Sequence, residues 1–397
     1  MKALLLENID QEAVRLLKQQ GYEVDHRMCA LDGDELVEAA KDCSLLGIRS
    51  RTPVNAYVLK SLNRLSAVGV FGIGTNLVDL DTCSEFGIPV FNAPYSNTRS
   101  VVELVIGCMV MLARRSFAKS TLMHDGVWQK SAAGCFELRG KRLGIVGYGN
   151  IGSQLSVLAE NFGMDVYFYD LVDKLQLGNA TQCKTMKELL STVDVVTLHV
   201  DGRSENDYLI GKRELNQMKS GSIFLNLSRG RVVNTSALAD AIKSGHIAGA
   251  ACDVYEVEPK SNDDPFVSEL RGLDNVILTP HIGAATQEAQ KRIAEFVSNK
   301  FEQYMCHGDT TLSCNFPNNQ LMRKNGGKRF VHVHRNVPGV LAKINHILSV
   351  HGLNIEGQSL QTNRDVGYVI TDAHGRISKK IIDKLSTVDG TIRVRNV

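Results

Sequence analysis

The chain has 397 residues but a single tryptophan, only 6% aromatic residues, almost no net charge and no long uncharged apolar run. Lys and Arg total 45 against 43 Asp and Glu, a formal charge of +2. That balance excludes the electrostatic footprint expected of a partner to nucleic acid or to an anionic membrane surface. The most apolar span, Val101 to Ala113, contains Glu103. It falls short of the roughly 20 residues needed to cross a bilayer and reads as a buried helix. Met1 to Glu7 is too brief for a secretory leader and reads as a first strand. The nine cysteines are scattered and odd in number, with no CxxC pair. This argues against a disulfide frame or a zinc site and for reduced thiols in a cytoplasmic protein. There is no internal repeat and no low-complexity segment. The lone Trp128 sits in Val127-Trp128-Gln129-Lys130, as a packing anchor or as a residue at an interface or site mouth.

The length predicts two or three domains, each with its own core. Over residues 1–95 short apolar runs (Ala3–Leu6, Tyr22–Val24, Leu45–Ile48, Ala67–Val70, Pro89–Phe91) alternate with amphipathic stretches near 10–20, 33–41, 54–62 and 78–86. That rhythm predicts an α/β domain with a parallel sheet covered on both faces. Ser96, Asn97 and Thr98 are candidate caps for a long helix over about 99–118. From 141 the βαβ rhythm restarts, with later strands at Val195–Val200, Ser222–Leu227, Ile247–Cys252 and Val276–Leu278. A helix over about 286–305 would return to the first sheet, so that one domain is inserted in another with a cleft between them. Residues 306–327, with Pro317-Asn318-Asn319 and Gly326-Gly327, read as a linker. The last 70 or so residues predict strand 328–334, helix 338–351, strands 353–362 and 366–373, helix 378–386 and strand 390–395. This βαββαβ order is ferredoxin-like.

Within the second domain, Leu143–Val146 runs into Gly147-Tyr148-Gly149-Asn150-Ile151-Gly152 and then a helical pattern. In a strand–GxGxxG–helix unit the glycines serve a tight turn, approach of a pyrophosphate, and close helix–strand packing. The helix N-terminus offers free N–H groups to the phosphates. The next apolar run ends in Asp170, placed to accept the adenosine ribose hydroxyls, and Leu171-Val172-Asp173 supplies no arginine for a 2′-phosphate. The expected cofactor is therefore NAD(H). Leu227-Ser228-Arg229-Gly230 follows a strand of the same sheet, where an arginine can grip a carboxylate bidentately or serve as an ordinary ion-pair partner. Asp253 and Glu258 lie in 253–259, and His281 follows Pro280 at another strand end. Hydride removal from a secondary alcohol needs a base for the hydroxyl proton, which histidine suits, with a carboxylate to orient the ring. Nothing in the sequence shows that Glu258 reaches His281. Arg49, Ser50, Arg51, Asn97 and Lys130 are candidates for a phosphate or second anion. His332 and His334 share one strand face, without a third metal ligand, and no metal is expected.

Gly74-Thr75-Asn76, Asn92-Ala93-Pro94 through Ser100, Gly147–Gly152, Ser228-Arg229-Gly230, Asp253 through Pro259 and Pro280–Gly283 together make the chain resemble the D-isomer-specific 2-hydroxyacid dehydrogenases. The resemblance is to the branch that oxidises D-3-phosphoglycerate and carries a C-terminal ACT domain. It implies a flavodoxin-like substrate-binding domain over 1–96 and 284–325, a Rossmann-type NAD-binding domain inserted at 97–283, and an ACT domain over 328–397. It implies that Arg229, Glu258 and His281 are catalytic. Gly147, Gly149, Asn150, Ile151, Gly152, Asp170, Leu227, Ser228, Arg229, Asp253, His281, Ile282, Gly283 and Ala284 would contact NAD. Arg49, Ser50, Arg51 and Asn97 would hold phosphoglycerate, with Trp128 and Lys130 reaching a neighbouring subunit. L-Serine would be a feedback effector held by His334, Asn336 and Asn354 in a homotetramer, and 2-oxoglutarate could be a second substrate. Ala284-Ala285 stands where close relatives often have Gly-Ser, and Arg335 where an acid is expected. The rival readings are a dehydrogenase for glycerate or hydroxypyruvate and a dinucleotide-sensing corepressor-like protein.

Overall fold

A computed structural model describes residues 1–259, 263–323, 328–375 and 379–397. The chain divides into two compact units, one made of Met1–Ser96 with Gln290–Val397, the other of Asn97–Ala289. The first begins with β1 (Lys2–Leu5), α1 (Gln11–Gln19), β2 (Glu23–His26), α2 (Gly33–Ala40), β3 (Cys43–Ile48), α3 (Ala56–Ser61), β4 (Ala67–Val70), α4 (Leu80–Glu85) and β5 (Val90–Asn92). Its helices start where an Asp or Asn side chain can take a free amide: Asp10 accepts from Glu12, Asn55 from Val58 and Asp79 from Thr82. The strands form a parallel sheet in the order β2-β1-β3-β4-β5, the flavodoxin-like arrangement expected from the rhythm of the sequence. Strand order reverses between β1 and β3, so the loops after these two strands flank a topological switch point, where open α/β sheets bind ligands.

The second unit runs α5 (Thr98–Ala113), α6 (Ser116–His124), β6 (Arg142–Val146), α7 (Asn150–Asn161), β7 (Asp165–Tyr169), β8 (Thr181–Gln182), α8 (Met186–Thr192), β9 (Val195–Leu198), α9 (Lys212–Gln217), β10 (Ser222–Asn226), α10 (Thr235–Lys243), β11 (Ile247–Cys252) and β12 (Val276–Leu278). The single long helix expected over 99–118 is two helices, because Arg115 takes a left-handed conformation with φ 49°. The short β8 at the sheet edge had no signal in the apolar pattern. Seven parallel strands lie in the order β12-β11-β10-β9-β6-β7-β8. The reversal here falls between β6 and β9, which places the Gly147–Gly152 loop at this sheet's switch point. Trp128 is 76% exposed, so it is no packing anchor among the described residues.

After α11 (Gln287–His307) come β13 (Lys328–Arg335), α12 (Val340–Val350), β14 (Asn354–Thr362), β15 (Val366–His374), α13 (Lys379–Ser386) and β16 (Thr391–Asn396). This is the expected βαββαβ order, closed into an antiparallel sheet β14-β15-β13-β16. One face packs on its own helices through Phe330, Ile344, Leu348 and Leu385. The other face, Val331, Val333, Tyr368 and Ile370, shares a core with Leu5, Phe91, Phe301 and Tyr304. Residues 328–397 therefore lie in the same compact unit as the first sheet. A buried ion pair reinforces the contact: Arg329 Nε and Nη2 each donate to Asp372 at 2.7 Å, and Arg329 Nη1 donates to His307 O at the end of α11. With both partners almost fully buried, neither could lose the other without leaving an uncompensated charge.

The stretch 306–327, expected as a polar linker, is ordered through much of its length. Thr310, Phe316 and Asn319 are buried. Asn315 bonds to Val90 and Ile88, and Asn319 Nδ2 donates to Ser359 O and Tyr368 O. Its polar side chains pair with backbone groups of two sheets, which is why polarity alone read as solvated linker. Gly326 and Gly327, and the expected helix start at 378, lie outside the described residues.

Candidate active site

The glycine loop has the geometry its sequence foretells. Gly147 has φ 93°, and a Cβ there would stand 2.5 Å from His199 O. A Cβ on Gly152 would stand 2.4 Å from Gly147 O and 3.0 Å from Ile145. By contrast, a Cβ on Gly149 meets no described atom within 4 Å beyond its chain neighbours, so its backbone faces open space. Gly149 caps α7 with no side-chain bond, leaving first-turn amides for a phosphate. Asp170 Oδ2 accepts from Tyr148 N at 2.8 Å, and Oδ1 accepts from Val172 N at 3.2 Å. The carboxylate thus holds the glycine loop from below and still has lone pairs for ribose hydroxyls. These features fit an adenine dinucleotide. Arg203, distant in sequence, lies near enough for its charge to feel Asp170, but its guanidinium is engaged by Asp201.

Three strand ends carry the candidate catalytic side chains. Asn226, at the end of β10, accepts at Oδ1 from Ser228 N and Oγ and donates from Nδ2 to Arg229 O. That brace fixes the Ser228–Arg229 turn. Leu227 and Ser228 are buried, while Arg229 is partly so and donates from Nη1 to Ser228 O at 2.7 Å. Burial lowers the Arg229 pKa, opposed by the charges of Asp201 and Glu258; guanidinium remains cationic at any physiological pH.

Asp253, at the end of β11, is 2% exposed. Its Oδ1 accepts from Thr279 Oγ1 at 2.6 Å and Ile282 N at 2.8 Å, and its Oδ2 from Gly283 N at 2.8 Å. Burial raises its pKa, and those three bonds oppose the rise. This carboxylate closes the loop around His281, whose φ of 53° is uncommon for a residue with a Cβ. His281 Nδ1 lies 2.9 Å from Glu258 Oε2. The structure thus brings together the two groups that the sequence left unconnected. The Glu258 bond raises the His281 pKa against desolvation, with the charges of Glu258 and Asp253 adding and that of Arg229 opposing. Partial burial pushes Glu258 up, but His281, the Tyr255 amide and Arg229 together hold it below its ordinary value.

Tyr255 escaped the sequence reading. Its hydroxyl lies 2.8 Å from Cys252 O and 3.0 Å from Thr279 O, and its amide donates to Glu258 Oε1 at 3.2 Å. Its carbonyl would lie 1.8 Å from a Cβ on Gly230. One residue therefore touches the segments that carry Arg229, Glu258 and His281. A tyrosine beside a strand end has no local signature that separates it from a packing aromatic.

The other candidates lie on other segments of the chain. Asn97 is buried as the cap residue of α5 without a side-chain cap bond, and its Oδ1 has no partner among the described residues. Lys130 is exposed in the loop after α6. Arg49, Ser50 and Arg51 follow β3 in the first unit. His334 Nδ1 donates to Arg335 O at 2.7 Å with the ring buried, and Asn336 Nδ2 donates to Asn363 O. Asn354 opens β14. On β15, Asn354 pairs with His374 and His334 with Gly367. Those partners are seven residues apart (374 − 367), about 23 Å at ~3.3 Å per residue. Within one chain His334 and Asn354 are at opposite ends of the sheet.

The Gly152–Gly147 contact yields a direct test. Gly152→Ala should force the glycine loop off α7 and weaken NADH binding at least tenfold, measured by fluorescence titration; wild-type affinity would show that the contact is not needed.

Comparison with known proteins bears on the same residues. Residues 106–283 match the family model described as D-isomer specific 2-hydroxyacid dehydrogenase, NAD binding domain. Residues 330–393 match an AHAS small subunit-like ACT domain. The chain is 49% identical to a D-3-phosphoglycerate dehydrogenase of Haemophilus influenzae, over 100% of this chain and 97% of that one. It is 48% identical to the enzyme of that name from Escherichia coli (strain K12), with the same coverage. Among solved structures, D-lactate dehydrogenase from Aquifex aeolicus complexed with NAD and lactic acid superposes with a TM-score of 0.68 at 26% identity, covering 77% of this chain and 95% of that one. The glycine loop, the Glu258–His281 pair and these matches lead to one conclusion: the chain belongs to the D-isomer specific 2-hydroxyacid dehydrogenase family and is an NAD-dependent oxidoreductase with an ACT-type C-terminal domain.

Proposed function

We propose that the protein catalyses NAD-dependent oxidation of D-3-phosphoglycerate to 3-phosphohydroxypyruvate, the first step of phosphorylated serine biosynthesis, in the cytoplasm. The observation that carries the chemistry is the 2.9 Å His281–Glu258 bond beside the Arg229 charge. Relatives named D-3-phosphoglycerate dehydrogenase, 49% and 48% identical over the full chain, support the substrate. NAD, when bound on the glycine loop and Asp170, supplies the hydride acceptor. Neutral His281, its Nδ1–H given to Glu258, presents Nε2 as the base that takes the C2 hydroxyl proton. Glu258 stabilises the imidazolium that forms, and Arg229 holds the substrate carboxylate bidentately. Asp253, with its oxygens committed to the loop at 279–283, acts by holding His281 in place. Arg49, Ser50, Arg51 and Asn97 are assigned to substrate and its phosphate, and Lys130 and Trp128 to a neighbouring subunit's site. Reduction of 2-oxoglutarate belongs to the same proposal, its second carboxylate taking the role of the phosphate.

Purified protein with NAD and D-3-phosphoglycerate should form NADH, and His281→Ala should lower kcat by about a hundred- to ten-thousand-fold with NADH affinity retained. No turnover by the wild type in a panel with glycerate and 2-oxoglutarate would refute the substrate. The pH dependence has a definite sign. Oxidation requires neutral His281, so kcat/KM rises with pH through the His281 pKa, which Glu258 holds above its ordinary value. Glu258→Gln removes that support and should shift the rising limb to lower pH while lowering the plateau; an unmoved limb would exclude the pairing.

For regulation we propose L-serine bound between two ACT domains. His334 and Asn336 sit at one end of the sheet and Asn354 at the other, so a single site uniting them takes residues from two chains. Two copies pairing edge to edge in a homotetramer would supply it. Millimolar serine should slow the wild type, and Asn354→Ala should abolish the effect; equal inhibition of both proteins would remove Asn354 from the site.

A further inference from the structure

Arg49, Ser50, Arg51 and Thr52 present four successive backbone N–H groups after β3. All four donate to one side chain, the carboxylate of Glu7, which follows β1. Arg49 N and Thr52 N reach Oε1 at 3.1 and 2.9 Å, and Ser50 N and Arg51 N reach Oε2 at 2.9 Å each. Glu7 is 2% exposed and holds φ 63°, a left-handed conformation that a residue with a Cβ keeps only where its contacts over-determine it. Arg49 Nη1 reaches back to Glu7 O at 3.4 Å, and Arg51 Nε lies 3.8 Å from Glu7 Oε2. Successive amides arranged in this way are a concave anion site. Here the protein fills it with its own carboxylate, at the switch point of the sheet.

We infer that Glu7 is a positioning and specificity residue for the substrate's phosphate: it occupies the amides of the 49–52 loop, so that a phosphate is gripped by the Arg49 and Arg51 guanidinium groups and not by the backbone. Glu7 does two jobs at once. It fixes the loop at four points, and it offsets one of two neighbouring positive charges that would otherwise repel each other. The net charge left by Arg49, Arg51 and Glu7 is +1, suited to attract an anion without holding it too firmly. The inference rests on the proposed assignment of Arg49 and Arg51 to the phosphate.

Glu7→Gln keeps the side chain's size but turns an NH2 group toward backbone donors. KM for D-3-phosphoglycerate should rise at least tenfold, with kcat at saturation changing less than threefold and KM for NAD unchanged. Glu7→Asp, which keeps the charge, should recover most of the loss. A folded Glu7→Gln protein whose KM for D-3-phosphoglycerate stays within twofold of wild type overturns the inference, as does an equal rise in both KM values. Failure of both variants to fold, judged by thermal melting and NADH binding, overturns it too, because the residue would then serve folding alone. Wild-type protein inactive on D-3-phosphoglycerate would instead overturn the proposed substrate, so the two failures are distinguishable.

Discussion

Buried carboxylates bonded to the backbone of strand-end loops are the constraint on which the rest of this protein depends. Asp253 is the clearest case. Its two oxygens take a hydroxyl and two amides from residues 279–283, and the loop so held carries His281 with a left-handed backbone. A charged group is costly to bury alone, and a carboxylate accepting several N–H bonds offsets that cost. The same device recurs at Glu7, with four amides, and a partly exposed carboxylate, Asp170, likewise accepts from the glycine loop it supports. All three lie beyond the carboxyl ends of parallel strands, where amides with no ladder partner are available.

This arrangement separates the rigid from the reactive parts of the site. Asp253 bonds the loop with both oxygens, whereas Glu258 spends one oxygen on the Tyr255 amide and the other on His281. A buried acid bonded to one loop through both oxygens suits a structural role. A half-exposed acid bonded to an imidazole suits one whose partner changes protonation during the reaction. Opposed shifts at Glu258 and His281 express the same division: each stabilises the charged form of the other.

Much of the architecture was legible in the residue pattern, because parallel strands buried on both faces read as short apolar runs and capped helices read as amphipathic ones. Strands β1, β3 and β4 follow this rule closely, and the C-terminal βαββαβ order, an antiparallel sheet, was legible from the alternation of strand and helix patterns. Failures came where local pattern and tertiary context disagreed. Arg115 breaks a helix that periodicity would continue, and the polar stretch 309–319 is ordered because its side chains bond to strands far away in sequence.

What the sequence determined by itself is the set of short-range features: the turn at Gly147, the close packing at Gly152, the cap residues, and the presence of an arginine, an acid and a histidine at strand ends. These depend on backbone dihedrals and on burial repeated over a few residues, both of which are local. Only the tertiary structure decided which groups meet: Glu258 with His281, Asp253 with the 279–283 loop, Tyr255 with three site segments, Glu7 with the amides of 49–52. Those pairings depend on strand order and register. A buried carboxylate has no local signature of the amides it will find, because its partners are brought to it by a sheet assembled from distant parts of the chain.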